Sequence, residues 1–133
     1  MLACIDSSVF LSRYLSEPRS DEANELVARA SGIVACRVLR VEVMRGLSFI
    51  DSAIERATAQ TGFADDWRRL IVLELDEQMA DLASTIAAST GVRTLDSLHI
   101  ATAILATADA FITFDRRQAA AARTFDLNVI GTS

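Results

Sequence analysis

Lysine is absent: all 13 basic residues are arginine, set against 18 acidic ones, and the formal net charge is −5. A protein that grips nucleic acid by bulk positive charge is disfavoured by that balance. Cysteine is confined to Cys4 and Cys36, each inside an apolar run. Two thiols at that spacing support neither a disulfide scaffold nor a metal site. Burial in adjacent core strands is the expectation for them. One proline and five glycines leave little material for long loops. No apolar run comes near the roughly 20 residues that a bilayer-spanning helix requires. The opening Met1-Leu2-Ala3-Cys4-Ile5 has no basic segment leading into a long apolar stretch, so no signal peptide is expected, and the cytoplasm is the expected location.

What is present fits one compact domain over residues 1–133, with 51% hydrophobic residues and abundant alanine to favour helix. Short apolar runs alternate with helical stretches. Residues 2–5, 33–36, 71–73, 111–114 and 127–130 read as strands. Helices are expected from a Ser7 or Ser8 cap to Leu15, over 21–30, 38–47 and 51–63, from an Asp76 cap to the stop at Gly91, from Thr94 or Asp96 to about Thr107, and over 119–123. In the 38–47 helix, Val38, Val41 and Leu47 form the apolar stripe and leave Glu42 at its edge. Alternating helices and continuously apolar strands imply an α/β fold with a parallel sheet covered on both faces.

Ligands of such sheets bind beyond the carboxyl ends of the strands. Asp6 follows the first strand and Asp115 the Phe111–Phe114 strand. Glu42 and Asp96 lie on helices, so four acids can converge on one sheet edge. Clustered carboxylates repel each other until a divalent cation relieves them, and hard oxygen donors suit Mg²⁺ or Mn²⁺. Such a site hydrolyses phosphodiesters without a catalytic His or Lys. Each acid also has a plainer role open to it. Asp6 and Asp115 can cap helices, Asp96 can complement a helix dipole, and Glu42 can pair with Arg45 or face solvent.

The local contexts of the four acids resemble those of PIN domains, and in particular VapC toxins of bacterial toxin–antitoxin pairs. Ile5-Asp6-Ser7-Ser8-Val9-Phe10-Leu11 resembles the family's opening strand, acid and hydroxyl residue. Val41-Glu42-Val43 resembles its central helical glutamate. Arg93-Thr94-Leu95-Asp96-Ser97-Leu98-His99-Ile100-Ala101-Thr102-Ala103 is the most specific match, and Ile112-Thr113-Phe114-Asp115 resembles its hydroxyl-x-acid element. These segments keep the family's order and span nearly the whole chain.

The resemblance implies a three-layer α/β/α sandwich around a mainly parallel five-stranded sheet. It also implies Mg²⁺- or Mn²⁺-dependent endoribonuclease activity, with RNA as substrate. Asp6, Asp96 and Asp115 would be metal ligands. Glu42 would bind a second ion or orient the attacking water, and Thr113 would orient an acid or contact the metal shell. It further implies a VapB-like antitoxin, a homodimer and a larger toxin–antitoxin complex. Val9, Tyr14 and Leu15 are candidates for the groove that takes the antitoxin, with core packing as the alternative.

Further residues carry weaker expectations. His99, one turn after Asp96, suits a supporting role near an acid better than a ligand role. Ser7 can contact metal-bound water or cap a helix. Arg13, Arg93, Arg116 and Arg117 flank the acid segments and suit phosphate contacts or open solvent. Asp76 and Asp109 read as a cap and a turn residue, and Trp67 is too isolated for a base-stacking platform. Two other functions compete with the nuclease. One is a noncatalytic PIN-fold protein that binds an antitoxin-like partner. The other is an aspartyl phosphatase or phospho-acceptor at Asp6; the first of these wants a second Asp two residues on, where Ser8 stands, and the second wants a lysine.

Overall fold

The computed structural model describes residues 1–132. Strands β1 (Leu2–Ile5), β2 (Gly32–Cys36), β3 (Ile71–Leu73), β4 (Ala110–Ile112) and β5 (Val129–Ile130) form one sheet, with every pairing parallel. Their order is β3-β2-β1-β4-β5. Helices α1 (Ser7–Tyr14), α2 (Ser20–Arg29), α3 (Val38–Leu47) and α4 (Ala53–Trp67) supply buried side chains to one face. Helices α5 (Glu77–Thr90), α6 (Thr94–Leu105) and α7 (Arg116–Thr124) supply them to the other. The fold is therefore the three-layer α/β/α sandwich expected from sequence, with a wholly parallel sheet.

Strand alternation builds both cores. Ala3, Ile5, Ala35 and Ile112 join Phe10, Leu39 and Phe63 on the first face. Cys4, Val34, Cys36 and Phe111 join Met79, Ile86 and Ile100 on the second. Apolar residues at both parities are what a sheet covered on both sides demands. Each large side chain fully buried there contributes about 1.5–3 kcal/mol. Cys4 and Cys36 are free buried thiols in neighbouring strands, as expected.

The order of strands decides where a ligand can sit. From β1 the sheet grows through β2 to β3, then the chain returns to β4 and β5 on the other side of β1. The reversal lies between β1 and β4, and a crevice opens there at the carboxyl ends of the two strands. Asp6 and Thr113 directly follow those ends.

Several expected boundaries move, each for a local reason. Asp6, rather than Ser7 or Ser8, caps α1, accepting from the Val9 amide. Strand β4 stops at Ile112, because the Phe114 amide donates to Ser8 Oγ at 3.1 Å instead of to a ladder partner. Asp115 thus stands three residues past the strand, where it caps α7 by accepting from the Gln118 amide at 2.9 Å. That helix begins at Arg116 rather than Ala119. Helix α4 continues past Phe63 to Trp67, whose rings pack one turn apart with centroids 5.9 Å apart. Val41, expected in the apolar stripe of α3, is 70% exposed; Leu39, Val43 and Leu47 form the buried stripe instead. Asp76 caps α5 and Asp109 accepts from the Leu2 amide, both structural roles as expected.

The chain closes over β4 through Gly131. Its φ is +98°, and an added Cβ would stand 2.8 Å from the Thr113 carbonyl oxygen. Both the backbone conformation and the close approach require glycine there. Gly131→Ala is expected to cost about 1–3 kcal/mol. Urea unfolding would show it; an unchanged midpoint would mean that the closing turn adapts freely.

Candidate active site

The site grows outward from Thr113, which is completely buried. Its hydroxyl lies 2.7 Å from Asp6 Oδ2 and 3.2 Å from Gln118 Oε1, and it accepts from the Asp115 amide at 3.0 Å. A hydroxyl has one proton, so it donates to Asp6 or to Gln118 but not fully to both. The other carboxylate oxygen of Asp6 accepts from Ser8 Oγ at 2.6 Å and from the Val9 amide. Every oxygen of this 3%-exposed carboxylate is therefore engaged. Burial pushes the Asp6 carboxyl above the usual carboxylate range, partly offset by Ser8, by the His99 charge, by Thr113 and by the Val9 amide.

Asp96 sits in the first turn of α6 and Asp115 at the cap of α7. Arg93 leans between them, with Nε 3.4 Å from Asp96 Oδ2 and Nη2 3.9 Å from Asp115 Oδ2. Its side chain is 82% exposed, so the bridge contributes little stability and is easily displaced. Burial raises the Asp96 carboxyl, the Asp115 charge raises it further, and Arg93 opposes both. The two acids line an open depression of about 310 Å³ with Arg93 and Arg117 on its wall.

Glu42 comes from α3, in the opposite helical layer. Its Oε1 meets His99 Nε2 of α6, and its Oε2 accepts from Ser7 Oγ at 3.3 Å. The pairing with His99 replaces both the Arg45 pair and the solvated position considered from sequence. Burial alone would disfavour a charged His99, but Glu42, and behind it Asp6 and Asp96, raise its pKa overall.

All four acids and Thr113 thus gather at the carboxyl edge of β1 and β4. Asp6 and Asp115 are helix caps as well as members of this group, so the plainer role and the chemical one coexist. Among the described residues, no three metal-ligating side chains stand close enough to coordinate an ion where they now lie. The donor set nonetheless fits a hard divalent cation. It consists of carboxylates, two of them resist ionisation through burial, and an arginine already lies across another pair.

Sequence reasoning missed Gln118 and gave Ser8 only a capping role, whereas its hydroxyl holds Asp6 and takes the Phe114 amide. Gln118 is buried, and its Nε2 donates to the Asp96 carbonyl at 3.3 Å, tying α7 to the first turn of α6. The signal for it was available: Gln three residues after a helix-capping Asp has capping-box spacing. Arg13 does not belong here. It pairs with Asp66 and Asn24 and lines a cavity with Ser31 and Gly32, at the amino-terminal edge of the sheet. Arg116 is exposed.

The profile of the PIN domain matches residues 3–124. The chain belongs to the PIN-domain family. Ribonuclease VapC46 of Mycobacterium tuberculosis (strain ATCC 25618 / H37Rv) is 30% identical to this PIN protein over 131 residues, covering 97% of this chain and 96% of the relative. Among solved structures, Mycobacterium tuberculosis VapC20, a sarcin-ricin loop cleaving toxin, superposes with a TM-score of 0.74 at 14% identity, covering 90% of this chain and 94% of that one. VapBC2 from Rickettsia felis, bound to a DNA fragment from its promoter, gives 0.71 at 14% identity, with coverage of 100% and 99%. Likeness at such low identity establishes the shared PIN fold alone. The 30% relative places this chain beside VapC proteins within the family.

Proposed function

We propose that this protein is a metal-dependent endoribonuclease, the toxin of a toxin–antitoxin pair. The observation that supports this most is that Asp6 and Asp115 meet at buried Thr113 where strand order reverses, with Asp96 linked to them through Arg93 and Gln118 and Glu42 held nearby by Ser7 and His99. Asp6, Asp96 and Asp115 would hold Mg²⁺ or Mn²⁺. An ion held there supplies an activated water and stabilises charge on the phosphoryl oxygens. Thr113 keeps the Asp6 carboxylate in plane by donating to Oδ2. Glu42 binds a second ion or orients the attacking water. Arg93 is free to swing from the acids to a phosphate, and Arg117 lies on the same wall to meet the RNA backbone.

The reading includes an antitoxin partner. A groove of about 540 Å³ runs between α1 and α4, lined by Tyr14, Leu15, Ile50 and the largely exposed Ile54. It suits an apolar segment of such a partner. Of the three groove residues expected from sequence, Val9 is instead fully buried in the core. A homodimer belongs to the same proposal, and Val41, Leu75 and Leu95 are exposed apolar residues available to it. Among the described residues, no helix is long and apolar enough to cross a membrane.

The test is cleavage of total cellular RNA by purified, antitoxin-free protein with Mg²⁺, with Mn²⁺ and with chelator. Discrete fragments are expected only with metal, and Asp96→Asn should yield none. Cleavage that persists in chelator would sink the metal-dependent reading. Inactivity of the folded wild type with every metal would favour a noncatalytic, partner-binding PIN protein.

A further inference from the structure

Helix α6 is the most enclosed helix of the fold, buried continuously from Ser97 to Ala103. Its other buried polar side chains satisfy themselves locally: Ser97 donates to the Thr94 carbonyl and Thr102 to the Leu98 carbonyl. His99 does not. It is 1% exposed, it sends Nε2 across to Glu42, and its Nδ1 has no hydrogen-bond partner. An unsatisfied buried nitrogen is costly, and an aliphatic residue would fill this core position without it. The imidazole is therefore poorly explained as packing. What it provides is a directed N–H at the Glu42 carboxylate.

Glu42 shows what that N–H accomplishes. A helical glutamate has several rotatable bonds and ordinarily samples solvent. Here each oxygen has its own donor, His99 at Oε1 and Ser7 at Oε2. The two donors come from different elements, α6 and α1, so the carboxylate plane is held from both sides. A carboxylate oxygen only accepts, so in this pairing Nε2 is the donor, in the Nε2–H neutral tautomer as in the charged ring, and the constraint does not depend on a titration.

We infer that His99 is a positioning residue for the nuclease reaction, holding the Glu42 carboxylate in one orientation toward the acid group through its Nε2–H. This rests on the proposed ribonuclease activity, and it adds that the chain's single histidine acts through Glu42 rather than on RNA or metal. Supporting hydrogen bonds of this kind are typically worth 10–100-fold in activity.

Two variants separate position from volume. The amide of Gln reaches about where Nε2 lies, and that of Asn about where Nδ1 lies. His99→Gln is expected to keep kcat within about fivefold of wild type. His99→Asn and His99→Leu are expected to lose roughly 30–100-fold in kcat with KM within about twofold. Comparison of Gln with Asn stands even if His99→Leu does not fold. Because the chain has one histidine, its Nε2–H proton resonance is unambiguous. In metal-free wild type it should be slowly exchanging, and in Glu42→Ala it should be lost to exchange. Equal kcat for the Gln and Asn variants in an active wild-type background overturns the role of His99 alone, as does a resonance indifferent to Glu42→Ala. A wild type that cuts no RNA with any metal overturns the nuclease reading and this role with it.

Discussion

Asp6→Asn is expected to abolish RNA cleavage while making the protein more stable at neutral pH. The activity loss should reach about a thousandfold or more, equivalent to roughly 4 kcal/mol of transition-state stabilisation. The stability gain follows from the site itself. Burial makes the Asp6 position unfavourable for a charged carboxylate and raises its pKa. Asparagine fills the same volume and finds partners already present. Its oxygen accepts from Ser8 and Val9, its amide donates to the Thr113 hydroxyl, and Thr113 turns its proton to Gln118. Melting should rise by several degrees, about what 1 kcal/mol produces in a domain of this size.

The pH dependence has a definite sign. The folded-state pKa of Asp6 lies above its unfolded value, so the folded protein binds this proton more tightly. The stabilisation that this proton brings is complete below the unfolded pKa and is lost as pH rises through the folded one. The advantage of Asn should accordingly be small in acid and grow as pH rises through the folded-state pKa of Asp6. Saturating Mg²⁺ should narrow it from the other side, by stabilising wild type about 2.7 kcal/mol at a hundred times its Kd. Thermal melts across pH, with and without Mg²⁺, would show this. A variant less stable than wild type at pH 7 would mean that the hydrogen bonds to the carboxylate outweigh its desolvation.

Asp66→Ala should produce the largest purely structural loss, about 2–3 kcal/mol. Asp66 joins α4 to α1 at the far edge of the sheet. Arg13 donates to it from Nε at 2.9 Å, and the Tyr14 hydroxyl donates to the same oxygen. Burial opposes the Arg13 charge, and Asp66 more than compensates. Burial and the neighbouring Asp66 together push the Tyr14 hydroxyl upward, so it remains a proton donor. Removal of the carboxylate strands a guanidinium and a phenol in partly buried positions. With a typical urea dependence, the midpoint should fall by about 1 M. Cleavage per folded molecule should be unchanged, since this network lies away from the acids. A loss below about 0.5 kcal/mol would show that water replaces Asp66 without cost.

Much of this was legible because the strands are short, apolar at both parities and separated by helices with clear caps and stops. Ile5-Asp6 and Asp76 to Gly91 needed only local rules. What was not legible depended on contacts between distant segments. The end of β4 is set by Ser8, about a hundred residues away in sequence, which takes the Phe114 amide. The exposure of Val41 could not be read from periodicity alone, since α3 meets other elements on two sides. Glu42 and His99 were each recognisable by sequence context, but their pairing arises only when α3 and α6 meet across the sheet edge. Arg13 stands near Asp6 in sequence, but α1 carries it to the opposite edge of the sheet.

The single proton of Thr113 has a consequence for how the site changes state. When Asp6 Oδ2 is given up to another electrophile, the hydroxyl finds a second acceptor within reach at Gln118, and rotation about one bond suffices. Because Gln118 also grips the carbonyl of Asp96, that rotation leaves both helix ends anchored. Loading the site should therefore turn a hydrogen at Thr113, while the acid side chains and Arg93 close in or swing away on backbones that stay in place. Backbones of empty and filled forms should superpose closely.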